Sequence, residues 1–306
     1  MIMLKQPLQK FYKMQGSGND FIVIDNRSRS ISQEVMPTWA RVLCPRAFSI
    51  GADGIIFLEE DASGQASTRW HFFNADGSRA EMCGNGSRCA TLLACLMGMA
   101  PAEHIMLTDA GLVHARVQPE AGEVEVQLTR IRDLQLGTDL DLDGRPESVH
   151  FANTGVPHAV IIVPDVKVLD VRELGSVVRR HAHFGPAGTN ANFIQVVDSG
   201  HILLRTYERG VENETYACGT GAAASVAVAH ALELCGPVVE VTTSGGEELR
   251  ITVRGEDIFL GGRLGSFIRA SSVPSLWGFD RHQQRRKYAV QRCFHGPCDP
   301  FHQWPY

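Results

Sequence analysis

One short motif occurs twice in this 306-residue chain, a cysteine followed by Gly-x-Gly and an alanine-rich run. The first copy, Cys83-Gly84-Asn85-Gly86, precedes residues 87–99, and the second, Cys218-Gly219-Thr220-Gly221, precedes residues 222–234. Both runs have the composition of helices, so each cysteine is predicted to stand at a helix entrance. The repetition predicts two related halves that arose by an ancient duplication.

Other segments support this division. Residues 190–194 resemble residues 18–22, and an Asp- and Gly-rich segment at 133–145 separates the two motifs. A chain of this length commonly forms two domains. The predicted division is a first half at residues 1–130, a second half at residues 131–270 and a flexible tail at residues 271–306.

Apolar runs bounded by Gly, Asn and Asp predict the strands. Residues 21–24 form the clearest of these runs, because a glycine turn at 16–20 leads directly into them. A helix is predicted at residues 32–43. The predicted strands are residues 21–24, 54–59, 69–73, 112–118, 124–128, 238–243, 248–253 and 258–260.

Composition favours a small-molecule partner. The 29 Lys and Arg residues against 34 Asp and Glu residues give a net charge of -5. This charge creates no global basic field for nucleic acid or an anionic membrane surface. The N-terminus lacks the long apolar run of a signal peptide, and no stretch approaches the ~20 apolar residues of a membrane span. We therefore expect a cytoplasmic protein with no nucleic-acid or membrane partner.

The eight cysteines are predicted to be reduced thiols, since nothing in the chain indicates secretion. Cys293 and Cys298 lie with two histidines in the tail, but their spacing is not a strong zinc signature. We predict no metal site. The five lysines also leave few candidates for a pyridoxal phosphate Schiff base.

Two thiols on opposite sides of one carbon can invert an amino acid. The reaction removes the proton from the α carbon on one face and returns a proton on the other. A helix N-terminus can lower the pKa of a thiol, so that one cysteine is a thiolate while the other stays protonated. Cys83 and Cys218 are the candidates for this pair.

The same helix entrances would bind the substrate carboxylate. Their unpaired N–H groups and the helix dipole favour an anion, and glycine lets the backbone approach a ligand closely. A single motif of this kind is equally well a structural turn with a buried thiol; its second copy favours function. Core positions are assigned to the remaining cysteines before the tail, which are Cys44, Cys89, Cys95 and Cys235.

Several longer segments resemble the diaminopimelate epimerase family, in the same order. They are Phe11-Tyr12-Lys13-Met14-Gln15-Gly16-Ser17-Gly18-Asn19-Asp20-Phe21, then Phe73-Asn74-Ala75-Asp76-Gly77-Ser78 running to the first cysteine motif, and Tyr207-Glu208-Arg209-Gly210 running to the second. The likeness covers residues 11 to 269.

The resemblance implies an α+β fold of two pseudo-symmetric domains, each a curled, mainly antiparallel sheet or barrel around a central helix. It implies epimerisation of LL- to meso-2,6-diaminopimelate without a cofactor, in a cleft between the domains, and a possible homodimer. The bases fall on Cys83 and Cys218, assisted by His158 and Glu208. The implied substrate-binding residues are Asn19, Asn74, Gly84, Asn85, Asn190, Glu208, Arg209, Gly219 and Thr220.

The distal end of the substrate is where this chain departs from the family pattern. Asparagines and Arg209 suit a second amino-acid centre. However, Val156 replaces a polar residue and Gly54 replaces a glutamine. The alternatives are a racemase or epimerase of the same fold acting on a histidine or proline derivative, and a noncatalytic or isomerase relative. The few lysines disfavour a pyridoxal phosphate racemase.

Overall fold

A computed structural model describes residues 8–264 and 269–274 of the chain. Strands dominate it, and the helices lie between strands rather than in a separate layer. The first half contains β1 (Leu8–Gly16), β2 (Asn19–Asp25), α1 (Met36–Leu43), β3 (Gly54–Glu60), β4 (Thr68–Asn74), α2 (Gly84–Leu96), β5 (Glu103–Thr108), β6 (Gly111–Gln118) and β7 (Glu123–Gln127).

The second half continues with the same kinds of element. A short 3-10 helix (Ala182–Phe184) follows its first helix. The elements are β8 (Arg132–Asp141), β9 (Pro146–Asn153), β10 (Pro157–Ile162), α3 (Val171–Arg180), β11 (Asn190–Asp198), β12 (His201–Glu208), β13 (Asn213–Thr215), α4 (Gly219–Ala231), β14 (Val238–Thr243), β15 (Glu248–Arg254), β16 (Asp257–Arg263) and β17 (Arg269–Pro274).

The two halves share one pairing order. β1 to β7 pair in sequence, with β2–β3 and β4–β5 parallel and the other neighbours antiparallel. β9, β10, β11, β12, β14, β15 and β16 repeat this order and these directions. α1 and α3 occupy equivalent connections, as do α2 and α4. The α+β fold of two pseudo-symmetric, sheet-rich halves is therefore confirmed.

The register corrects one part of the predicted repeat. Residues 190–194 begin β11, which is equivalent to β3, whereas residues 18–22 lead into β2. In the parallel pairs, Phe21 lies opposite Gly54 and His158 lies opposite Asn190. Asn190 is therefore equivalent to Gly54 and not to a residue of the first turn. The same short pattern of polar and apolar residues occurs at the starts of two strands that are not equivalent. The resemblance between these two segments therefore does not mark equivalent positions.

One hydrophobic core runs through both halves. Most residues of α2 and α4 are buried, and their apolar side chains pack in this core with residues from the inner faces of the surrounding strands. A helix that is buried on all sides belongs at the centre of such a core. α1 covers the outer face of β2 and β3, and α3 covers the outer face of β10 and β11. Because β2 is buried on both faces, its apolar run is continuous rather than alternating.

Both central helices begin earlier than predicted, immediately after their cysteines. Cys83 and Cys218 are the N-cap residues, in extended conformation with φ of -150° and -128°. The glycines that follow lie in the first turn, whereas the entropic cost of glycine applies to the middle of a helix. α1 begins later than predicted, at Met36, because Pro37 is accepted only in the first turn of a helix.

The ends of the halves are joined by strands. β7 pairs with β16, and β17 returns to pair with β1, so the sheet network links the two halves twice. The Asp- and Gly-rich segment predicted as a boundary forms β8, which pairs with β9. Residues 271–274 belong to β17, and the rest of the predicted tail lies outside the described residues. No helix in the described ranges is long and apolar enough to cross a membrane.

Leu260 on β16 provides a test of the shared core. It is fully buried, and ideal Cβ atoms built on Gly84 and Gly219 would each lie 2.8 Å from its Cδ2 atom. We expect Leu260→Ala to lower the free energy of unfolding by about 2–5 kcal/mol, because it opens a cavity between two helix ends. Urea denaturation measures the loss. Leu112→Ala, at a 45% exposed position on β6, is the matched control and should change stability by less than ~0.5 kcal/mol.

Candidate active site

A cavity of about 720 Å³ lies where the N-termini of α2 and α4 meet. This volume is within the usual range for a small-molecule site. The cavity brings together both cysteines and most of the predicted binding residues, from both halves of the chain. These residues are Asn19, Asn74, Cys83, Gly84, Asn85, Glu208, Cys218, Gly219 and Thr220.

The Cys83 thiol caps helix α2. Its Sγ atom accepts a hydrogen bond from the backbone N–H of Gly86 at 3.4 Å. Burial raises the pKa of this thiol, and it outweighs the backbone N–H groups of Gly86 and Asn85, which lower the pKa. The prediction that the helix entrance gives a low thiol pKa is therefore wrong for the ligand-free protein. The reason is that removing a thiolate from water costs more than two N–H groups return.

Cys218 is the N-cap residue of helix α4, but its thiol makes no capping hydrogen bond to that helix. Its Sγ atom lies 3.4 Å from the hydroxyl of Thr220. Burial and then the negative charge of Glu208 raise the pKa of Cys218 to about 12. Both cysteines are free thiols. In the absence of a ligand, the site therefore holds two protonated thiols that face one cavity.

Glu208 and Asn74 occupy equivalent places in the two halves. Asn74 ends β4 and pairs with Gly54, and Glu208 ends β12 one residue beyond the Ala191–Tyr207 pair. Burial raises the pKa of Glu208 above that of an ordinary carboxyl group. The symmetric fold thus places an amide on one side of the cavity and a titratable carboxyl group on the other.

His158 is brought close to the site but does not line the cavity. It is fully buried on β10, and burial lowers its pKa to about 3, so the imidazole is neutral. The Nδ2 atom of Asn192 faces its Nδ1 atom at 3.1 Å and also donates to the carbonyl oxygen of Ala159. A carbonyl oxygen only accepts, so Nδ1 also accepts and the imidazole proton is on Nε2. Nε2 has no partner among the described residues.

Asn192 is a residue that the sequence did not single out. Its Oδ1 atom accepts from the hydroxyl of Thr206 and lies 2.4 Å from an ideal Cβ atom on Gly221, which itself would contact the Sγ atom of Cys218. The His158–Asn192 pair therefore packs directly beneath the first turn of α4. The sequence indicated Asn192 only by its position, two residues after Asn190 on a strand that leads to the site.

Asn190 and Arg209 are brought together, beside the cavity rather than on its wall. Asn190 uses both ends of its amide, donating to the carbonyl oxygen of Pro157 and accepting from the backbone N–H of Arg209 at 2.8 Å. The guanidinium of Arg209 lies 3.5 Å from the carbonyl oxygen of Ala187. Asn190 thus fixes the backbone that follows Glu208.

Asp53 and Arg46 line the cavity and were not predicted. Asp53 accepts hydrogen bonds from the side chain of Asn19 at 3.2 Å and from the backbone N–H of Asp20. Arg46 bridges the carboxylates of Asp20 and Asp53. Burial would raise the pKa of Asp20, but Arg46 and Lys13 outweigh it and lower the pKa to about 2. The only sequence feature that indicated these two residues was a cluster of charged residues around one turn.

Clusters of metal-binding side chains are not found in the described part of the chain. Within residues 8–264 and 269–274, no group of three or more His, Cys, Asp or Glu side chains could hold a metal ion. Cys293, Cys298 and their neighbouring histidines lie outside the described residues.

Solved structures share this fold. A phenazine biosynthesis protein of Bacillus anthracis matches with a TM-score of 0.65 at 15% identity, covering 87% of this chain and 99% of that one. A probable proline racemase of Agrobacterium radiobacter K84 matches with a TM-score of 0.63 at 18% identity, covering 89% of this chain and 94% of that one. At such identities the likeness concerns the fold. With a cysteine at the N-cap position of each central helix, the protein is an isomerase of the racemase and epimerase class.

The family follows from closer relatives. The diaminopimelate epimerase family model matches residues 11–132 and 150–263. A diaminopimelate epimerase of Hydrogenobaculum sp. is 43% identical over 259 residues, covering 82% of this chain and 93% of that protein. One of Aquifex aeolicus is 42% identical over 267 residues, covering 83% and 94%. The chain belongs to the diaminopimelate epimerase family, as its motifs predicted.

Gly54 offers a test of the packing that shapes this cavity. An ideal Cβ atom on Gly54 would lie 2.5 Å from the ring of Phe72 and 2.8 Å from the carbonyl oxygen of Phe73. We expect Gly54→Ala to lower the free energy of unfolding by about 1–3 kcal/mol, because overpacking displaces the ring or the strand. Denaturant titration measures the loss. Gly200→Ala, where the new Cβ atom would make only an ordinary contact at 3.6 Å, should be close to neutral.

Proposed function

We propose that the protein interconverts LL- and meso-2,6-diaminopimelate by proton transfer between the substrate α carbon and two cysteines, Cys83 and Cys218. The observation that carries this proposal is the pair of thiols at the N-caps of two packed helices, both facing one cavity. Membership of the diaminopimelate epimerase family supports the choice of substrate.

The proposed reaction begins with one cysteine as the thiolate. It takes the α proton, the C–H bond breaks, and the electron pair spreads into the substrate carboxylate. The other cysteine then gives its S–H proton to the opposite face of the carbon and is left as the thiolate. The charge on the two sulfurs has exchanged, and the reverse reaction restores it. No cofactor takes part in this scheme.

The helix N-termini stabilise the charge that develops. Backbone N–H groups of Gly84, Asn85, Gly219 and Thr220 are the proposed donors to the substrate carboxylate, two from each helix. Negative charge grows on that carboxylate as the proton leaves, so preorganised donors act most strongly in the transition state. The buried position of the site strengthens these contacts, since little water screens them.

Glu208 and His158 are proposed to assist the thiols differently. The raised pKa of Glu208, next to Cys218, suits a carboxyl group that receives and returns the thiol proton. His158 is neutral and buried, so we propose that it acts through Asn192, which supports the first turn of α4. Asn74, Asn190 and Arg209 are proposed to hold the distal amino-acid centre together with Glu208.

Asn19 and Asn85 are proposed to bind the reacting end, because their amides meet at the cavity wall beside α2. The domain division at residue 130, the homodimer and the cytoplasmic location stay predictions.

Loss of either thiol is the direct test. Cys83→Ala and Cys218→Ala should each lower epimerisation by a factor of at least ~1,000, because each direction needs both an acid and a base. The measurement is the appearance of meso-diaminopimelate from the LL isomer, with α-proton exchange followed in heavy water. Cys95→Ala, near the other end of α2, should keep full turnover.

The same assay decides the substrate. Exchange with LL-diaminopimelate and none with histidine or proline is the expected pattern. Exchange confined to histidine or proline would assign the fold to another amino acid, and full turnover in either single-thiol variant would overturn the two-base scheme.

The pH dependence follows from the buried thiols. Burial raises both thiol pKa values, so at neutral pH the thiolate is the minor form and its fraction grows as the pH rises. We expect kcat/KM to rise about tenfold per pH unit from about pH 6 to about pH 8, since kcat/KM reports groups of the free enzyme. Initial rates at low substrate measure this. A flat profile over that range would show that the thiolate exists before substrate binds.

A further inference from the structure

Arg88, in the second turn of α2, is a buried charge that the mechanism above does not use. Its side chain is 1% exposed, and no carboxylate forms a salt bridge with it among the described residues. Its Nη2 atom donates to the hydroxyl of Ser17 at 2.5 Å and to Oδ1 of Asn85 at 2.9 Å, while Nε has no partner in the described part of the chain. A buried guanidinium without a counterion is costly to the fold.

The guanidinium sets the orientation of a row of amides. Arg88 only donates, so the atom of Asn85 that faces it is Oδ1, and the Nδ2 atom of Asn85 is left to face Asn19. That atom donates to Oδ1 of Asn19 at 2.9 Å, so the Nδ2 atom of Asn19 donates in turn to Asp53. A donor at one end and a carboxylate at the other therefore give both asparagines one defined orientation in the cavity.

The same guanidinium holds the hairpin turn that carries Asn19. Ser17 and Gly18 both have positive φ, 52° and 80°, as a two-residue turn of type I′ between β1 and β2 requires. Ser17 is a non-glycine residue in this strained region, and its hydroxyl is the group bound by Arg88. The hairpin and α2 are thus tied together at one point.

The charge of Arg88 also distinguishes the two halves. It lies five residues after Cys83, and the residue five after Cys218 is Ala223. The groups that act on Cys83 are Arg88 and the backbone N–H groups on its own helix, and Glu208 from β12. Those that act on Arg88 are the thiols of Cys83 and Cys89 and, from the loop after β14, the carboxylate of Glu247. Arg88 alone among them favours a thiolate by its positive charge.

We propose that Arg88 is a positioning residue that orients Asn85 and Asn19 and makes Cys83, rather than Cys218, the thiol that ionises more readily in the ligand-free protein. The inference rests on the proposed function only in treating these two thiols as the acid and base. It adds that Cys83 ionises before Cys218, because the first half carries a fixed positive charge that the second half lacks.

The test measures each thiol separately and does not depend on turnover. The ligand-free protein is alkylated with iodoacetamide from about pH 6 to about pH 10, and labelling of the peptides that contain Cys83 and Cys218 is quantified by mass spectrometry. In the unsubstituted protein Cys83 should be labelled faster. Arg88→Met should slow Cys83 about tenfold at fixed pH, the change that a one-unit rise in pKa gives, and leave Cys218 within a factor of two.

Three further variants separate charge from geometry. Arg116→Met removes an exposed arginine of β6 that pairs with Glu103, and should alter neither labelling nor epimerisation. Arg88→Lys keeps the charge and should restore Cys83 labelling but not kcat, because one ammonium group cannot replace the planar fork. Ser17→Ala should lower kcat/KM and leave the pH profile of Cys83 labelling unchanged.

The outcomes are distinct. Equal slowing of both thiols in folded Arg88→Met, or no slowing of Cys83, overturns the inference. Should that variant fail to fold, unaltered kcat/KM in both Arg88→Lys and Ser17→Ala overturns it instead. Failure of the unsubstituted protein to exchange the α proton of diaminopimelate would reject the proposed function. The difference in labelling rate between Cys83 and Cys218 would still decide the role of Arg88.

Discussion

The packing of two helix N-termini around one leucine side chain is the contact on which the site depends. Leu260 leaves no room for a side chain on Gly84 or Gly219, and this closeness brings the first turns of α2 and α4 to opposite sides of one cavity. Glycine is therefore needed in both motifs for packing as well as for access to a ligand. The N-cap position, with its extended backbone, then turns each thiol toward the cavity.

Burial gives the site its electrostatic character. The helix ends offer N–H groups to any negative charge, but the same enclosure removes the water that would stabilise a thiolate. The balance in the ligand-free protein favours protonated thiols, a protonation-prone Glu208 and a neutral His158. A site of this kind keeps its reactive sulfurs weakly nucleophilic until a substrate binds among them, since only the thiolate reacts.

Sequence patterns predicted the repeated parts of the molecule well. The two cysteine motifs, the helices after them and the eight predicted strands lie where their composition and periodicity placed them, with the helix starts wrong by three residues. The strands between residues 132 and 215 were not predicted. These features are local, because a glycine turn or an apolar run reports its own conformation. The thiol pKa was mispredicted for the opposite reason: the helix entrance is visible in the sequence, whereas the depth of burial depends on the sheets that enclose it.

The polar partners of the site could not be predicted from the sequence, because strand register determines which side chains reach the site. Asp53 and Arg46 reach the site through strand pairing and loop closure, which no spacing in the chain encodes, and Asn192 was indicated only by its position two residues after Asn190.

Register also explains how a symmetric fold can serve a substrate that is not symmetric about its reacting carbon. Gly54 and Asn74 are equivalent by strand pairing to Asn190 and Glu208. The first half thus presents a bare backbone and an amide where the second presents an amide and a carboxyl group. In the proposed reaction the duplicated backbone supplies two matched helix ends for one carboxylate, while the unmatched side chains leave one direction open for the rest of the substrate. Because the space at Gly54 is filled by the ring of Phe72, a polar side chain cannot be accommodated there without moving that ring or the strand, and the asymmetry is built into the packing of β3 and β4.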